Sequence, residues 1–268
     1  MTVSTTAPVS AAAAWQALHG AACAPYRAAG RFAWHWARGK LGRDPVFRGM
    51  LTRGELPAGA RVVDIGCGQG LLASLLQACA DQQSAGRWPA DWLVAASARS
   101  YTGIELMSSD VTRGRQALAG IALAPQFVCA DMRQAVLPPC DVVVILDVLH
   151  YVDHDDQRAL LQRVAQALQP SGRLLLRVGD SASTRGFAIS QWVDRVVTGV
   201  RGHRVAPTWG RSLHEWQALL VQLGFAVQAV PQSQGTPFAN VLLVARLQPA
   251  VPEQPEQPEP PQQRCAAL

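Results

Sequence analysis

The sequence predicts an α/β fold, a mostly parallel sheet with helices on both faces, and three observations predict it. A strand, a glycine turn and a helix follow one another across Val62-Val63-Asp64-Ile65-Gly66-Cys67-Gly68-Gln69-Gly70-Leu71-Leu72. Val142-Val143-Val144-Ile145-Leu146 is a continuous apolar run, the mark of a strand buried on both faces of a parallel sheet. Strand and helix patterns keep alternating on either side of these two segments. With 268 residues and 49% hydrophobic content the chain can bury one good-sized core, so one α/β domain with extensions is expected rather than two domains.

Taken in order, the first 14 residues are small and polar with an alanine run and are expected to fray. Helical patterning covers 15–41 with a break near Pro25, and a second helical piece over 46–51 follows Asp44-Pro45, an N-cap and N1 pair. Residues 1–52 therefore read as a helical extension or lid ahead of the main domain. The net charge of +5 is modest, but its distribution is uneven. Between Arg27 and Arg61 the basic residues Arg27, Arg31, Arg38, Lys40, Arg43, Arg48, Arg53 and Arg61 meet only Asp44 and Glu55, and Phe32, Trp34, Trp36 and Phe47 are interleaved with them. Such a region could meet an anionic substrate, a carrier protein, a membrane surface or nucleic acid. It could equally lay its aromatics on the domain while its arginines face water.

The glycine turn carries the first chemistry. Gly66, Gly68 and Gly70 let a ligand approach the main chain, and the helix that follows presents free N–H groups beside them. A nucleotide-like ligand suits such a turn. The spacing Asp-x-Gly-x-Gly-x-Gly differs from the Gly-x-Gly-x-x-Gly of dinucleotide binders, and Asp64 would repel a pyrophosphate, so a cationic ligand fits better.

Here the sequence resembles the class I S-adenosylmethionine (SAM) dependent methyltransferases, over roughly 62–247, most of the chain. The resemblance implies a Rossmann-like sheet of seven strands with the last antiparallel, SAM as cofactor, and the turn residues Asp64, Gly66, Cys67, Gly68 and Gly70 as part of its site. The next helix, over 71–80, gives way to a polar stretch at 81–89 that reads as a surface insertion. Strand 100–106 ends in Gly103-Ile104-Glu105. An acid there accepts hydrogen bonds from ribose hydroxyls, because two carboxylate oxygens match two neighbouring donors, so Glu105, with Leu106 beside it, takes that role. Helix 109–120 and strand 126–130 follow, and the resemblance places the adenine against Asp131 and Met132. The alternative for Asp131, capping the short helix after it, is compatible with this.

Strand 141–146 is the central fourth strand and leads into Asp147-Val148-Leu149-His150-Tyr151, which looks like the fourth motif of small-molecule methyltransferases. Ligands of open α/β sheets bind at the carboxyl ends of the strands, so this loop and Asp147 should border the transferred methyl. A helix over 156–168 follows with Asp155 as its expected cap, then Pro170-Ser171-Gly172-Arg173 as a turn and strand 174–178. Residues 179–211 are too long for a simple connection and read as a substrate cap. Ser212 with Glu215 three positions on starts another helix in capping-box form, Gly224 stops it, and 225–230 and 240–247 close the sheet. The Pro, Gln and Glu composition of 248–268 predicts a disordered tail.

Methyl transfer from a sulfonium needs positioning, exclusion of water and the management of one proton. Histidine is the natural base near neutral pH, so His150 and then His154 are the candidate catalytic residues, with proximity alone as the alternative. Tyr151, Arg185, His203 and Trp209 are further candidates for the acceptor pocket. His-x-x-x-His at 150 and 154 lacks further identifiable ligands, so no metal is expected. Cys23, Cys67, Cys79, Cys129, Cys140 and Cys265 form no Cys-x-x-Cys pair and read as reduced thiols. No apolar run approaches the roughly 20 residues that span a bilayer and no signal peptide is visible, so a cytoplasmic enzyme is expected. The reading is methylation at oxygen or carbon of a small aromatic, lipid-like or carrier-bound acceptor, with a faint resemblance to quinone and aryl-polyene pathway enzymes. The alternatives are an RNA methyltransferase and a non-catalytic SAM-binding subunit; the lack of an Asn-Pro-Pro-Tyr motif or RNA-binding module speaks against nucleic acid.

Overall fold

Ser10 opens the first helix, α1 (Ala11–Cys23), by accepting a hydrogen bond from the Ala13 N–H at 3.3 Å. The chain then turns at Pro25 through a 3-10 segment, Ala24–Arg27, and continues as α2 (Arg31–Arg43) and α3 (Pro45–Thr52). Asp44 caps α3 through the Val46 N–H at 3.1 Å with Pro45 behind it, as the sequence predicts. The computed structural model describes residues 10–89, 92–93, 96–179, 209–232 and 240–248. The cap expected at 179–211 lies almost wholly outside these residues, with Arg185 and His203, and so does the tail beyond 248.

β1 (Ala60–Ile65) passes through the glycine turn into α4 (Leu71–Ser84). The helix runs beyond residue 80 into what sequence alone reads as an insertion, because Gln77 donates to the Asp81 carboxylate at 2.8 Å and Gly86, at φ +65°, turns the chain only afterwards. β2 (Ala98–Glu105), α5 (Ser108–Leu118), β3 (Gln126–Cys129) and β4 (Cys140–Leu146) follow. Next, α6 (His154–Ala167) is capped by Asp153, which accepts from Asp155 and Asp156 N–H at 3.1 and 2.8 Å. The expected cap, Asp155, instead lies in the first turn, where its charge complements the helix dipole.

β5 (Leu168–Gly179) begins directly after α6. The expected turn at Pro170-Ser171-Gly172 is absorbed as an irregularity, with Ser171 at φ +64° and the pairing register shifting between Cys140 and Val142. The last helix, α7 (Leu213–Gln222), has the complete Ser212–Glu215 capping box, and β6 (Phe225–Pro231) and β7 (Asn240–Leu247) complete the sheet.

The seven strands lie in the order β3-β2-β1-β4-β5-β7-β6. β7 runs antiparallel to both β5 and β6, and the other pairings are parallel, as expected. Because side chains alternate along a strand, Val62, Val142, Val144 and Leu175 pack one face against α1 to α4, while Val63, Ile65, Val143, Ile145 and Leu174 pack the other against α6 and α7. The strand order reverses between β1 and β4, which opens a crevice at their carboxyl ends. Among the described residues no helix is long and apolar enough to cross a membrane.

Candidate active site

At that crevice lies a cavity of about 590 Å³, walled by the glycine turn, the ends of β2, β3 and β4, and the α2–α3 helices. Gly66 takes φ +76°, and a Cβ there would stand 2.4 Å from Val148 Cγ1, so no side chain fits between the turn and the loop after β4. At Gly68, φ +55°, an added Cβ would meet nothing within 4 Å, and the main chain lies open to the cavity. Gly70 does not line the cavity; it faces Phe127, whose ring would lie 2.5 Å from an added Cβ.

Asp64, the penultimate residue of β1, is buried and accepts the Tyr101 O–H at 2.6 Å. Burial pushes its carboxyl up to about 7, aided by the charge of Glu105 and opposed by the Tyr101 bond. Glu105 accepts the Gly68 N–H at 2.9 Å and the Met107 N–H at 2.8 Å, one on each carboxylate oxygen, which leaves lone pairs on both for further donors. Its burial raises its pKa against those two bonds. Cys67 lines the cavity with its thiol held protonated by burial, and Leu106, 63% exposed, stands at its rim.

Asp131 and Met132, just beyond β3, also line the cavity. The Asp131 carboxylate is held by the Arg133 guanidinium at 2.6 Å and by the Arg133 N–H at 2.9 Å, which lowers its pKa. The Met132 carbonyl accepts from Arg163 at 2.7 Å. Asp147 follows β4 at φ +60°, an uncommon conformation for a residue with a side chain, and its carboxylate is gripped by Arg177.

Neither candidate base, His150 nor His154, is among the residues that line the cavity. His150 sits in the 3-10 turn Leu149–Tyr151 with its ring 4.1 Å from that of Tyr151, and its carbonyl accepts the Trp209 N–H at 2.8 Å. Burial lowers its pKa, so the imidazole is neutral at physiological pH. His154 is exposed at the start of α6, edge-on to Trp209 at 5.4 Å. Tyr151 does line the cavity; Trp209 does not.

Four lining or supporting residues escape a motif reading. Trp36, Lys40 and Phe47 come from α2 and α3 to roof the cavity. Their sequence signal was the basic aromatic composition of the N-terminus, which indicates no direction. Gln69 is 1% exposed, lines the cavity, and neither polar atom of its carboxamide has a hydrogen-bond partner among the described residues. A buried amide in that state is poised for a ligand group. Its backbone carbonyl accepts the buried Tyr26 O–H at 2.9 Å, which ties the turn after α1 to the glycine loop.

The strand order, the glycine turn over a nucleoside-sized cavity and the acids at the ends of β1, β2 and β3 define a class I SAM-dependent methyltransferase fold. Residues 33–230 match the family model of the methyltransferase domain, and the chain belongs to that family. It is similar to the carboxy-S-adenosyl-L-methionine synthase of Chromohalobacter salexigens, with 30% identity over 130 residues, 48% of this chain and 43% of that protein. It is also similar to the trans-aconitate 2-methyltransferase of Methylobacterium nodulans, with 30% identity over 132 residues, 49% of this chain and 43% of that one. The matches thus span less than half the length of these curated relatives. Among solved structures, the magnesium protoporphyrin IX methyltransferase of Synechocystis with bound S-adenosylhomocysteine superposes with a TM-score of 0.54 at 19% identity, covering 84% of this chain and 93% of that one. These structures share the fold.

Proposed function

We propose that the protein transfers a methyl group from SAM to oxygen or carbon of a small acceptor bound under the α2–α3 roof. One observation carries this: the same cavity is lined by Gly66, Gly68 and the acids Asp64, Glu105 and Asp131, and also by Trp36, Phe47 and Tyr151. Glu105 offers acceptors for two ribose hydroxyls, Asp131 and Met132 border the adenine, and Asp64, as it ionises, supplies negative charge for a cationic ligand. When bound, SAM supplies an electrophilic methyl on a sulfonium. The chain's part is to hold the acceptor in line, keep water out and place carboxylates opposite the positive charge. Because no histidine among the described residues lines the cavity, proximity and orientation do most of the work, and His150 acts by seating Tyr151. The names of the two curated relatives favour a small metabolite over nucleic acid as acceptor. The buried, protonated thiols fit a reducing cytoplasm.

Calorimetric titration of the purified protein with SAM and with S-adenosylhomocysteine tests the cofactor half, and tritium transfer from labelled SAM into small-molecule extracts tests the acceptor half. Absence of binding by either ligand refutes the reading, and label in RNA alone refutes the small-molecule acceptor.

Two further results are expected. The Gln69 carboxamide faces a ligand that can both donate and accept, which the methionyl amine and carboxylate provide. Gln69→Leu should therefore weaken S-adenosylhomocysteine binding about tenfold, the loss of a hydrogen bond to a charged group, yet leave 5′-methylthioadenosine, which lacks those groups, unchanged. Equal losses for both ligands would place Gln69 elsewhere.

The second concerns pH. With its pKa raised to about 7, Asp64 is protonated in the folded protein at pH where the unfolded chain is ionised. Its contribution to stability is full below about pH 4 and fades as pH rises through 7. Affinity for the SAM cation should move the opposite way, growing as Asp64 ionises. The ratio of SAM to S-adenosylhomocysteine affinity should rise from about pH 6 to about pH 8, and Asp64→Asn should flatten it. A wild-type ratio independent of pH would remove Asp64 from the cation's surroundings.

A further inference from the structure

We infer that the solvent face of α2 is a docking surface for an anionic phospholipid bilayer, placed so that an apolar acceptor enters the cavity from the membrane side. This goes beyond the methyl-transfer reading and is tested without it. From Ser10 to Arg43 the sequence has no Asp or Glu, while Arg27, Arg31, Arg38, Lys40 and Arg43 fall within it. On α2, Ala33, Ala37 and Leu41 are buried, and Arg31, Phe32, His35, Arg38 and Arg43 are exposed on the opposite side. Lys40 is engaged with Asp44 at 2.8 Å, but none of Arg27, Arg31, Arg38 and Arg43 meets a carboxylate among the described residues. Surface arginines commonly find acidic neighbours; four that do not make a cationic face whose complement is an anionic surface.

The aromatic residues distinguish a bilayer from a merely acidic partner. Phe32 is 53% exposed, with the Arg113 guanidinium 4.9 Å from its ring centre. It stacks on Trp36, centroids 6.5 Å apart, and Trp36 lines the cavity. Trp34 carries the guanidinium groups of Arg27 and Arg38 at 5.2 and 5.0 Å. Two arginines over one tryptophan ring with one protruding phenylalanine match the headgroup zone, where cations meet phosphates and an aromatic ring reaches the acyl boundary. Phe32 thus packs on a residue of the cavity wall, and the exposed Leu106 belongs to that wall as well.

The full chain is mixed with vesicles of phosphatidylcholine alone and of phosphatidylcholine with phosphatidylglycerol, and the bound fraction is measured by sedimentation. Partition onto the anionic vesicles should exceed that onto neutral ones about tenfold or more and fall with added salt. R31E/R38E should lower it about tenfold, F32S by several-fold, both with unchanged thermal melting and unchanged S-adenosylhomocysteine affinity. Equal partition onto both vesicle types, undiminished partition by R31E/R38E, or complete displacement by RNA at equal phosphate concentration would each overturn the assignment. A protein that binds these vesicles but not S-adenosylhomocysteine would refute the methyl-transfer reading, and with it the acceptor's entry, and leave the bilayer contact standing.

Discussion

Glu105→Ala is expected to weaken S-adenosylhomocysteine binding about a hundredfold. The carboxylate stands at the end of β2 with one oxygen on the Gly68 N–H and the other on the Met107 N–H. Two ribose hydroxyls would meet the remaining lone pairs, each through a charge-assisted bond worth about 1.5 kcal/mol or more, and their loss sums to about 3 kcal/mol. That is about two powers of ten in affinity. A second loss comes from preorganisation: the Gly68 N–H loses its acceptor, and the turn keeps only the Gly66 and Cys67 N–H bonds to the Ile104 carbonyl of β2. Glu105→Gln keeps one acceptor oxygen and should lose about tenfold less. Calorimetry on the three proteins decides it, and an alanine variant within about threefold of wild type would take the ribose away from Glu105.

The fold was legible where local chemistry alone determines it. Asp44-Pro45 and Ser212 with Glu215 satisfy orphan N–H groups within three residues, so their sequence and their geometry say the same thing. The apolar run ending at Leu146 and the strand–turn–helix through Gly66 likewise fix direction and burial over a few residues. The sequence says least where two neighbours compete for one local role. Asp153 and Asp155 are both good N-caps, and the turn of chain after Val152 decided between them. His150 and Tyr151 are adjacent, and a single 3-10 turn sends the phenol to the cavity and the imidazole behind it. Spacing does not resolve one residue of rotation in an irregular loop. The roof residues Trp36, Lys40 and Phe47 were less legible still, because their place depends on how α2 and α3 cross the sheet ends. Arg177 did leave a trace: a lone charge within Leu174-Leu175-Leu176-Arg177-Val178 cannot stay buried without anionic partners.

Those partners make Arg177→Met the most destabilising substitution expected here. Arg177 is 3% exposed at the end of β5, and its guanidinium bridges Asp147 after β4, at 2.7 Å through Nε, and Asp44 between α2 and α3, at 2.7 Å through Nη2. Lys40 completes the cluster, 2.8 Å from Asp44 and 3.7 Å from Asp147, so two cations offset two anions. Such a cluster adds little over an apolar packing of equal volume, but removing one member leaves buried charge uncompensated at a cost of about 3–5 kcal/mol. At about 2–4 °C per kcal/mol, melting should fall by about 10 °C.

The pH dependence identifies the cause. Burial alone would raise the Asp44 carboxyl, but the bond from Arg177 and the charges of Lys40 and Arg177 outweigh it and hold the pKa below the usual range. Asp147 is held low in the same way. In the wild type their contribution is therefore present above about pH 4 and lost as pH falls through the lowered values. Without Arg177, burial prevails and the carboxyls shift up, so the sign reverses: the variant should lose stability as pH rises, and its deficit should be smaller at about pH 5 than at about pH 8. Adding Asp44→Asn, which keeps an N-cap for α3, together with Asp147→Asn removes both orphaned charges and should restore about half of the lost melting temperature. A fall of less than about 3 °C for Arg177→Met, or a deficit equal at both pH values, would show that the cluster is not what joins the α2–α3 roof to the end of β4.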